Sequence, residues 1–319
     1  MRVLITGGAG MLGRKLTGRL LERGHLRDEG IEAIDLVDLV EAPVHSEVCT
    51  AHLADLSRPG EAEALISLEP DVVFHLAAVV SAEAEADFDK GMRVNVDGTR
   101  QLFEAVRLSP VAPRVVYASS IAVFGAPFPD PIGDDFHPTP LTSYGTQKLI
   151  GEALLADYSR RGFFDGIGIR LPTVSVRPGA PNAAASSFFS GIIREPLNGV
   201  EAELPVSRDV RHPHASPRAA VGFLVHAAEI HTSRLAGRRN LTMPGVSVTV
   251  GEQIEALGRV AGREAAALIT ERPDPVVAGI VAGWPARFDT ARAAALGFAA
   301  EDSYDDIIRA YIEDDLGQG

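Results

Sequence analysis

The sequence is short of several things, and each shortage removes a class of protein. It has a single cysteine, Cys49, among 319 residues, so no internal disulfide can form, which fits a reducing compartment. Nothing around Cys49 has the electropositive setting that activates a thiol. There is no run of Lys or Arg, and 30 basic residues against 43 acidic ones leave a net charge of −13. A chain of that sign without a basic stripe is unsuited to tracking a phosphate backbone, so no nucleic-acid partner is expected. No stretch approaches the ~18 consecutive apolar residues of a membrane span. The longest apolar run, DVVFHLAAVV from Asp71, suits a buried strand. The opening MRVLITGG lacks a basic stretch followed by an apolar core and cleavage site, so no secretory leader is expected. Internal repeats and low-complexity tracts are also lacking. A cytoplasmic globular chain is left, long enough for one large α/β domain with a smaller lobe.

What is present alternates between two periodicities. RVLITG, IEAIDLVDL, DVVFHLAA, RVVYASS and GIGIRLPTV read as strands. Between them LGRKLTGRLLERG, GEAEALISLEP, FDKGMRVNVDGTRQLFEAVRL and YGTQKLIGEALLADYSRRG carry helical spacing, as with Leu12, Leu16 and Leu20. Strands apolar on both faces with helices between them predict parallel pairing and right-handed crossovers. The expected fold is α/β, a Rossmann-type doubly wound parallel sheet with a smaller C-terminal substrate-binding lobe. The pattern loosens after Val174. The expected division is a sheet domain over 1–174, rejoined by 208–243, and a lobe from 175–207 and 244–319.

TGGAGMLG, residues 6–13, joins the first strand to the first helix. Gly8, Gly10 and Gly13 satisfy G-x-G-x-x-G, and Gly7 permits G-x-x-G-x-x-G. Glycine there allows a tight turn, close approach of backbone N–H groups to a pyrophosphate, and the positive end of a helix dipole facing it. The strand before and the helix after supply the context the spacing needs. DLVDL offers Asp35 and Asp38 for the adenosine ribose. Asp38, at the strand end, is preferred, and a carboxylate there favours NAD over NADP. A solvated strand-end acid is the structural alternative. Asp55 and Leu56, after the next strand, are placed near the adenine edge.

Tyr144 and Lys148 are four apart at the start of a helix and so share a face. A phenol with a pKa near ~10 is no base at neutral pH, and lowering it to 7 takes on the order of 4 kcal/mol. A lysine ammonium one turn away and an oxidised nicotinamide both act in that direction. Ser119 and Ser120 end a parallel strand at the carboxyl edge of the sheet, where open α/β sheets bind ligands. A hydroxyl there can orient a reacting oxygen. Asn95, in the long helix, shares a face with Phe88, Met92 and Thr99 and is expected to point inward, with the lysine or a water chain to it as partner. His75 is expected beside the cofactor as a packed strand residue.

The run TGGAGMLG, DL at 55–56, FHLAA, VNVDGT, YASSIAVFG, YGTQK and RLPTV resembles the extended short-chain dehydrogenase/reductase superfamily over the first 175 residues. The resemblance implies Tyr144 as general base, Lys148 as its activator and ribose anchor, Ser120 as the orienting hydroxyl four residues before Phe124, and Asn95 in the same constellation. It implies NAD held by Gly7, Gly10, Met11, Leu12, Gly13, Asp38, Asp55 and Leu56, then by Leu76, Ala77, Ala78, Asn95, Tyr144, Lys148, Pro172 and Val174. It also implies a homodimer built on the two helices that carry Asn95 and Tyr144. Residues 79–95, 170–199, 204–220 and FDTARAAALGF are similar to the D-erythronate dehydrogenase group, which implies NAD-dependent oxidation of a four-carbon sugar acid at C2. A nucleotide-diphosphate-sugar 4-epimerase with tightly bound NAD is the alternative enzyme, and an NAD-sensing protein the alternative of another class. Dehydration is disfavoured, because Ile121 and Ala122 stand where dehydratases carry acids.

A small acid needs a cation fork for its carboxylate. Arg177 and Arg211 are the candidates, each with the alternative of bracing its own loop. Asn182, Ser186 and His212 are candidates for substrate hydroxyls, with Ser81 and Ser119 at the pocket edge. His212 and His214 have ligand-like spacing but no third ligand, so no metal is expected.

Overall fold

The computed structural model describes residues 1–43, 46–179 and 185–317. The chain forms two compact units, Met1–Val123 with Thr142–Leu171 and Val221–Thr242, and Phe124–Leu141 with Pro172–Ala220 and Met243–Gly319.

In the first unit the chain runs β1 (Arg2–Thr6), α1 (Met11–Arg23), β2 (Ala33–Asp38), β3 (Cys49–Leu53), α2 (Glu61–Ile66), β4 (Val72–His75), α3 (Ser81–Ala86) and α4 (Phe88–Gly91). A π-helical turn, Met92–Gly98, leads into α5 (Thr99–Leu108), followed by β5 (Arg114–Ser120), α6 (Ser143–Arg160), β6 (Asp165–Leu171) and, after a long excursion, β7 (Asn240–Thr242). The seven strands are all parallel, in the order β3–β2–β1–β4–β5–β6–β7. The order reverses between β1 and β4, so the carboxyl ends of those two strands border the crevice in which doubly wound sheets take their ligands.

Alternation along β1 explains why both faces are covered. Leu4 joins one cluster with Val73, Val115, Leu102, Phe103 and Leu155, while Val3 and Ile5 point to the opposite face and are equally buried. Leu16 and Leu20 of α1 are sealed from water, worth about 2 kcal/mol each. α6 lies tightly on β5: a Cβ at Gly151 would stand 2.3 Å from the Tyr117 hydroxyl, so only glycine lets the helix carrying Tyr144 and Lys148 come this close to the sheet.

In the second unit, Arg211–Ala215 pairs antiparallel with Val246–Thr249 and parallel with Thr173–Val174. Ala202–Leu204 pairs with Ile269–Glu271. The core gathers Phe189, Ile192, Ile193, Leu204, Leu257, Tyr304, Ile307 and Ile308.

Three features depart from the sequence reading. Residues 124–141 belong to the second unit, because Ile132 bridges to Phe288 and Phe124 packs against Phe136 and Phe288. Residues 208–220 do so as well, since ladder bonds commit Arg211–Ala215 to Val246–Thr249. The long helix around Asn95 is interrupted by the π turn, so helical periodicity does not carry across it. Asn95 and Thr99 are buried, whereas Phe88 is 59% exposed.

Candidate active site

The β1–α1 loop closes on itself. Gly7 adopts φ +75° and its N–H bonds Val37 O at 2.8 Å. A Cβ at Gly13 would lie 2.2 Å from Gly7 O, and one at Gly7 would lie 2.8 Å from the Ala77 nitrogen. No side chain larger than hydrogen fits those two positions. The first turn of α1, Met11–Gly13, has no capping side chain and no acidic residue. Its N–H groups and dipole are therefore open to an anion. Asp38 sits beside this turn at the end of β2, its carboxylate accepting from Ala9 N at 3.0 Å and Leu39 N at 2.7 Å. Asp55 accepts from the Ser57 N–H and hydroxyl, which hold its carboxyl below the usual range. Leu56 is part of the core under α2 and α5. Leu76, Ala77 and Ala78 follow β4 and are half-buried. These residues fit a dinucleotide: a glycine-only turn, an uncapped helix start and a strand-end carboxylate.

At the other end of the same edge, Ser120 closes β5 with its Oγ accepting from Ala122 N at 3.1 Å, and its hydroxyl lies on the side of Tyr144, the second residue of α6. The helix is started by Thr142, whose hydroxyl accepts from Gly145 N at 3.1 Å, and by Glu85, which accepts from Ser143 N at 2.9 Å. Burial pushes the Tyr144 phenol up to about 12, against the opposing Ser120 hydrogen bond. Lys148 donates to Ala118 O at 2.8 Å, with its Nζ 5.0 Å from the Tyr117 ring centre and 5.8 Å from that of Tyr144. Burial lowers the ammonium to about 8, against the Glu152 charge, which raises it. Tyr144 is thus held as a phenol, and the lysine beside its ring does not by itself make it a base.

Beneath this edge runs a chain of buried hydrogen bonds. Thr6 hydroxyl donates to His75 Nδ1 (2.7 Å), His75 Nε2 donates to Thr99 (2.8 Å), and Thr99 donates to Asn95 O (2.7 Å). This tautomer is the one the partners require, because Thr99 spends its proton on a carbonyl. Burial, with the Lys148 charge, lowers His75 to about 3, so it is neutral. Asn95 clamps Val79 through both backbone groups, at 2.8 and 3.0 Å, and donates to Gln147 Oε1 at 2.7 Å. The lysine expected beside Asn95 is not its partner: the π turn aims the amide at the loop after β4. Ser119 likewise departs from the substrate role expected of it, since alternation along β5 turns its hydroxyl to Glu152 (2.5 Å). Ser81 begins α3 and is half-buried.

The remaining candidates lie in the second unit. Pro172 precedes its Thr173–Val174 strand and Val174 ends it. Arg177 is half-buried, with its backbone held by Ser190 (3.1 Å) and Arg194 (2.9 Å). Burial and the Arg194 charge lower its guanidinium, and among the described residues no acid pairs with it. Arg211, in contrast, is spent on Ser247 O at 2.8 Å and on Glu252. Both ring nitrogens of His212 are engaged, by Thr173 hydroxyl (2.7 Å) and Pro285 O (3.0 Å), and the ring stacks on Phe189. Burial lowers it to about 4. It therefore has no nitrogen left for a substrate hydroxyl, which corrects that expectation. Ser186 precedes the helix Ser187–Leu197, and Asn182 lies outside the described residues. Among the described residues no group of His, Cys, Asp and Glu could hold a metal ion. A cavity of about 260 Å³ within this unit is lined by Ser247, Arg287, Phe288 and Thr290 with Pro131 and Pro213. No sequence motif marks it, since its walls come from four separate stretches of the chain.

Known proteins resemble this arrangement along the whole chain. A D-erythronate dehydrogenase from Cupriavidus necator is 51% identical, over 98% of this chain and 98% of that protein. A D-erythronate dehydrogenase from Haemophilus influenzae is 40% identical, over 99% of this chain and all of that one. The crystal structure of a nucleoside-diphosphate-sugar epimerase from Agrobacterium tumefaciens superposes with a TM-score of 0.96 at 58% identity, covering 100% of this chain and 95% of that one. Residues 3–229 match the model of the NAD dependent epimerase/dehydratase family. With the glycine turn, the strand-end acid and the Ser120–Tyr144–Lys148 edge in place, the chain belongs to that family.

Proposed function

We propose that the protein is an NAD-dependent dehydrogenase that oxidises the C2 hydroxyl of D-erythronate to the 2-oxo acid. The observation that carries this reading is the match, over nearly their full length, to two proteins named D-erythronate dehydrogenase. Bound NAD supplies the hydride acceptor and a positively charged ring. Gly7, Gly10, Met11, Leu12 and Gly13 would hold its pyrophosphate, Asp38 the adenosine ribose, Asp55 and Leu56 the adenine side. Leu76, Ala77 and Ala78 would flank the ribose nearer the nicotinamide, with Pro172 and Val174 beside that ring. Lys148 would anchor its ribose.

Ser120 holds the C2 oxygen in line with Tyr144. Tyr144 Oη takes the hydroxyl proton as the C2 hydride departs, so the alcohol loses two electrons and two hydrogens and becomes a ketone. Burial opposes ionisation of the phenol, and the Lys148 ammonium is the protein's own source of positive charge beside it, to which the nicotinamide ring of NAD would add. Asn95 fixes the turn at Val79 next to that site. Arg177, with no acidic partner among the described residues, would be the carboxylate fork, and Ser81, Ser186 and Asn182 would contact hydroxyls.

The second reading is an epimerase acting on a nucleotide sugar, favoured by the superposition on the Agrobacterium protein. Absorbance of reduced nicotinamide with D-erythronate, D-threonate and UDP-sugars, each with NAD and NADP, separates the two. NADH with D-erythronate supports the dehydrogenase. Inversion of a UDP-sugar without net NADH refutes it. A homodimer through the helical segments that carry Asn95 and Tyr144 is proposed with it, tested by sedimentation, and a cytoplasmic location, tested by cell fractionation.

A further inference from the structure

A second ionic group lies directly behind Lys148, and the reaction above makes no use of it. Glu152, one turn further along α6, is 1% exposed. Its Oε1 accepts from Ser119 Oγ at 2.5 Å and Arg170 Nε at 2.9 Å, and its Oε2 accepts from Arg170 Nη2 at 2.7 Å. Ser119 and Arg170 face each other in the β5–β6 ladder, so one carboxylate ties α6 to both strands a single residue before Ser120.

Stability alone gives no reason for these ions. Replacing a buried pair by apolar side chains of similar volume is often neutral or stabilising, because desolvation offsets the attraction. The neighbourhood of Lys148 does give one. The titratable side chains around that ammonium are Tyr144 and Glu152 on α6, Tyr117 on β5 and His75 on β4, while Arg170 on β6 is paired with Glu152 itself. Both tyrosines are held as phenols and His75 as a neutral ring by burial. Glu152 is the one anion of the set, and its charge acts on Lys148 against the burial that would discharge it.

We propose that Glu152 is a positioning residue: anchored by Ser119 and Arg170, it keeps Lys148 an ammonium at neutral pH and fixed on the turn of α6 that faces Tyr144. The proposal rests on the reading of Tyr144 and Lys148 as base and activator.

The chain contains three lysines, Lys15, Lys90 and Lys148, so its ¹³Cε-lysine NMR spectrum is simple, and Lys148→Arg assigns the third signal. In Glu152→Gln the Lys148 titration midpoint is expected to move to lower pH by on the order of one unit, while Lys15 and Lys90 stay put. The alkaline limb of kcat/KM should move the same way, with Glu152→Asp restoring most of it. Glu152→Gln leaves Arg170 buried without its partner, so the pair Glu152→Met/Arg170→Met serves as the variant that keeps its fold. It should also lower the midpoint, by a smaller amount. An unmoved Lys148 midpoint in folded Glu152→Gln or in the double variant overturns the proposal. A shifted midpoint with an unmoved kcat/KM limb overturns instead the activating role of Lys148, on which the proposal rests.

Discussion

Each unit of the molecule buries a cluster of polar side chains, and the two clusters are built on opposite principles. In the first unit the buried groups include full charges: Lys148, Glu152 and Arg170 lie together at the carboxyl edge of the sheet, with the neutral chain Thr6–His75–Thr99–Asn95 beside them. In the second unit His212 and His214 are wrapped in rings, Phe189 stacking on one at 5.2 Å and meeting the other edge-on at 4.7 Å, with Trp284 and Tyr304 behind. Burial holds both of those histidines neutral. Equal depth therefore does not mean equal purpose. A buried charge cluster at the carboxyl edge of the sheet is the arrangement that chemistry uses, whereas neutral rings at the same depth make a packed core with hydrogen bonds.

The contrast can be broken at several points. The largest effect is expected at Tyr144: its change to Phe should lower kcat by about 10²–10⁴, the range of one acid–base group, while unfolding in urea and NAD binding by fluorescence stay near wild type. Residual activity within tenfold of wild type would sink the role given to the phenol.

Next is Lys148→Met, which should lose activity and gain stability. The lysine's folded pKa, about 8, lies below the unfolded value of ~10.4. Stability is therefore lost as pH falls from above 10 through 8, and that loss is complete at pH 7. Removing the charge should return about 1–3 kcal/mol in urea unfolding at pH 7. A variant less stable than wild type would show that the buried ammonium is a structural support.

The second cluster should respond to acid instead. His212 titrates near 4 when folded against ~6.5 unfolded. The unfolded chain takes up the proton first, and stability falls as pH drops from 6.5 towards 4. His212→Gln should flatten that fall by up to about 3 kcal/mol at pH 4, leaving kcat at pH 8 within twofold. A large loss of kcat at pH 8 would return His212 to the substrate.

The smallest effect separates two arginines of the same unit. Arg177→Met should raise KM for the acid about tenfold, the scale of one charge-assisted contact, while Arg211→Met, whose guanidinium is already spent on Ser247 O and Glu252, should change KM less than twofold.

How far the sequence could be read differed between the same two regions. Period-two strands and period-3.6 helices made the sheet, its order of elements and the glycine turn legible; the spacing of Tyr144 and Lys148 placed them on one face of a helix start, and Ser119 and Ser120 at a strand end, as the structure has them. The π turn was not legible, because a shift of helical phase leaves no mark in hydrophobic spacing. It was also what redirected Asn95 from the lysine to Val79 and Gln147. Ser119 and Ser120 differ only in which side of β5 they face, and a one-residue ambiguity of that kind is settled by Glu152 of α6, which takes the Ser119 hydroxyl together with Arg170 across the ladder. In the second unit, short strands drawn from 173–174, 211–215 and 246–249 meet through non-local pairing, so nothing in the local pattern of HPH foretold that Thr173 and Pro285 would occupy His212.

The most direct measurement is a single turnover of D-erythronate carrying deuterium at C2, with NAD, analysed by mass spectrometry of the nicotinamide product. Transfer of the C2 hydrogen under control of Tyr144 predicts NADH one mass unit heavier, lost in Tyr144→Phe. Unlabelled NADH, or a sugar of inverted configuration with no NADH released, would contradict oxidation at C2.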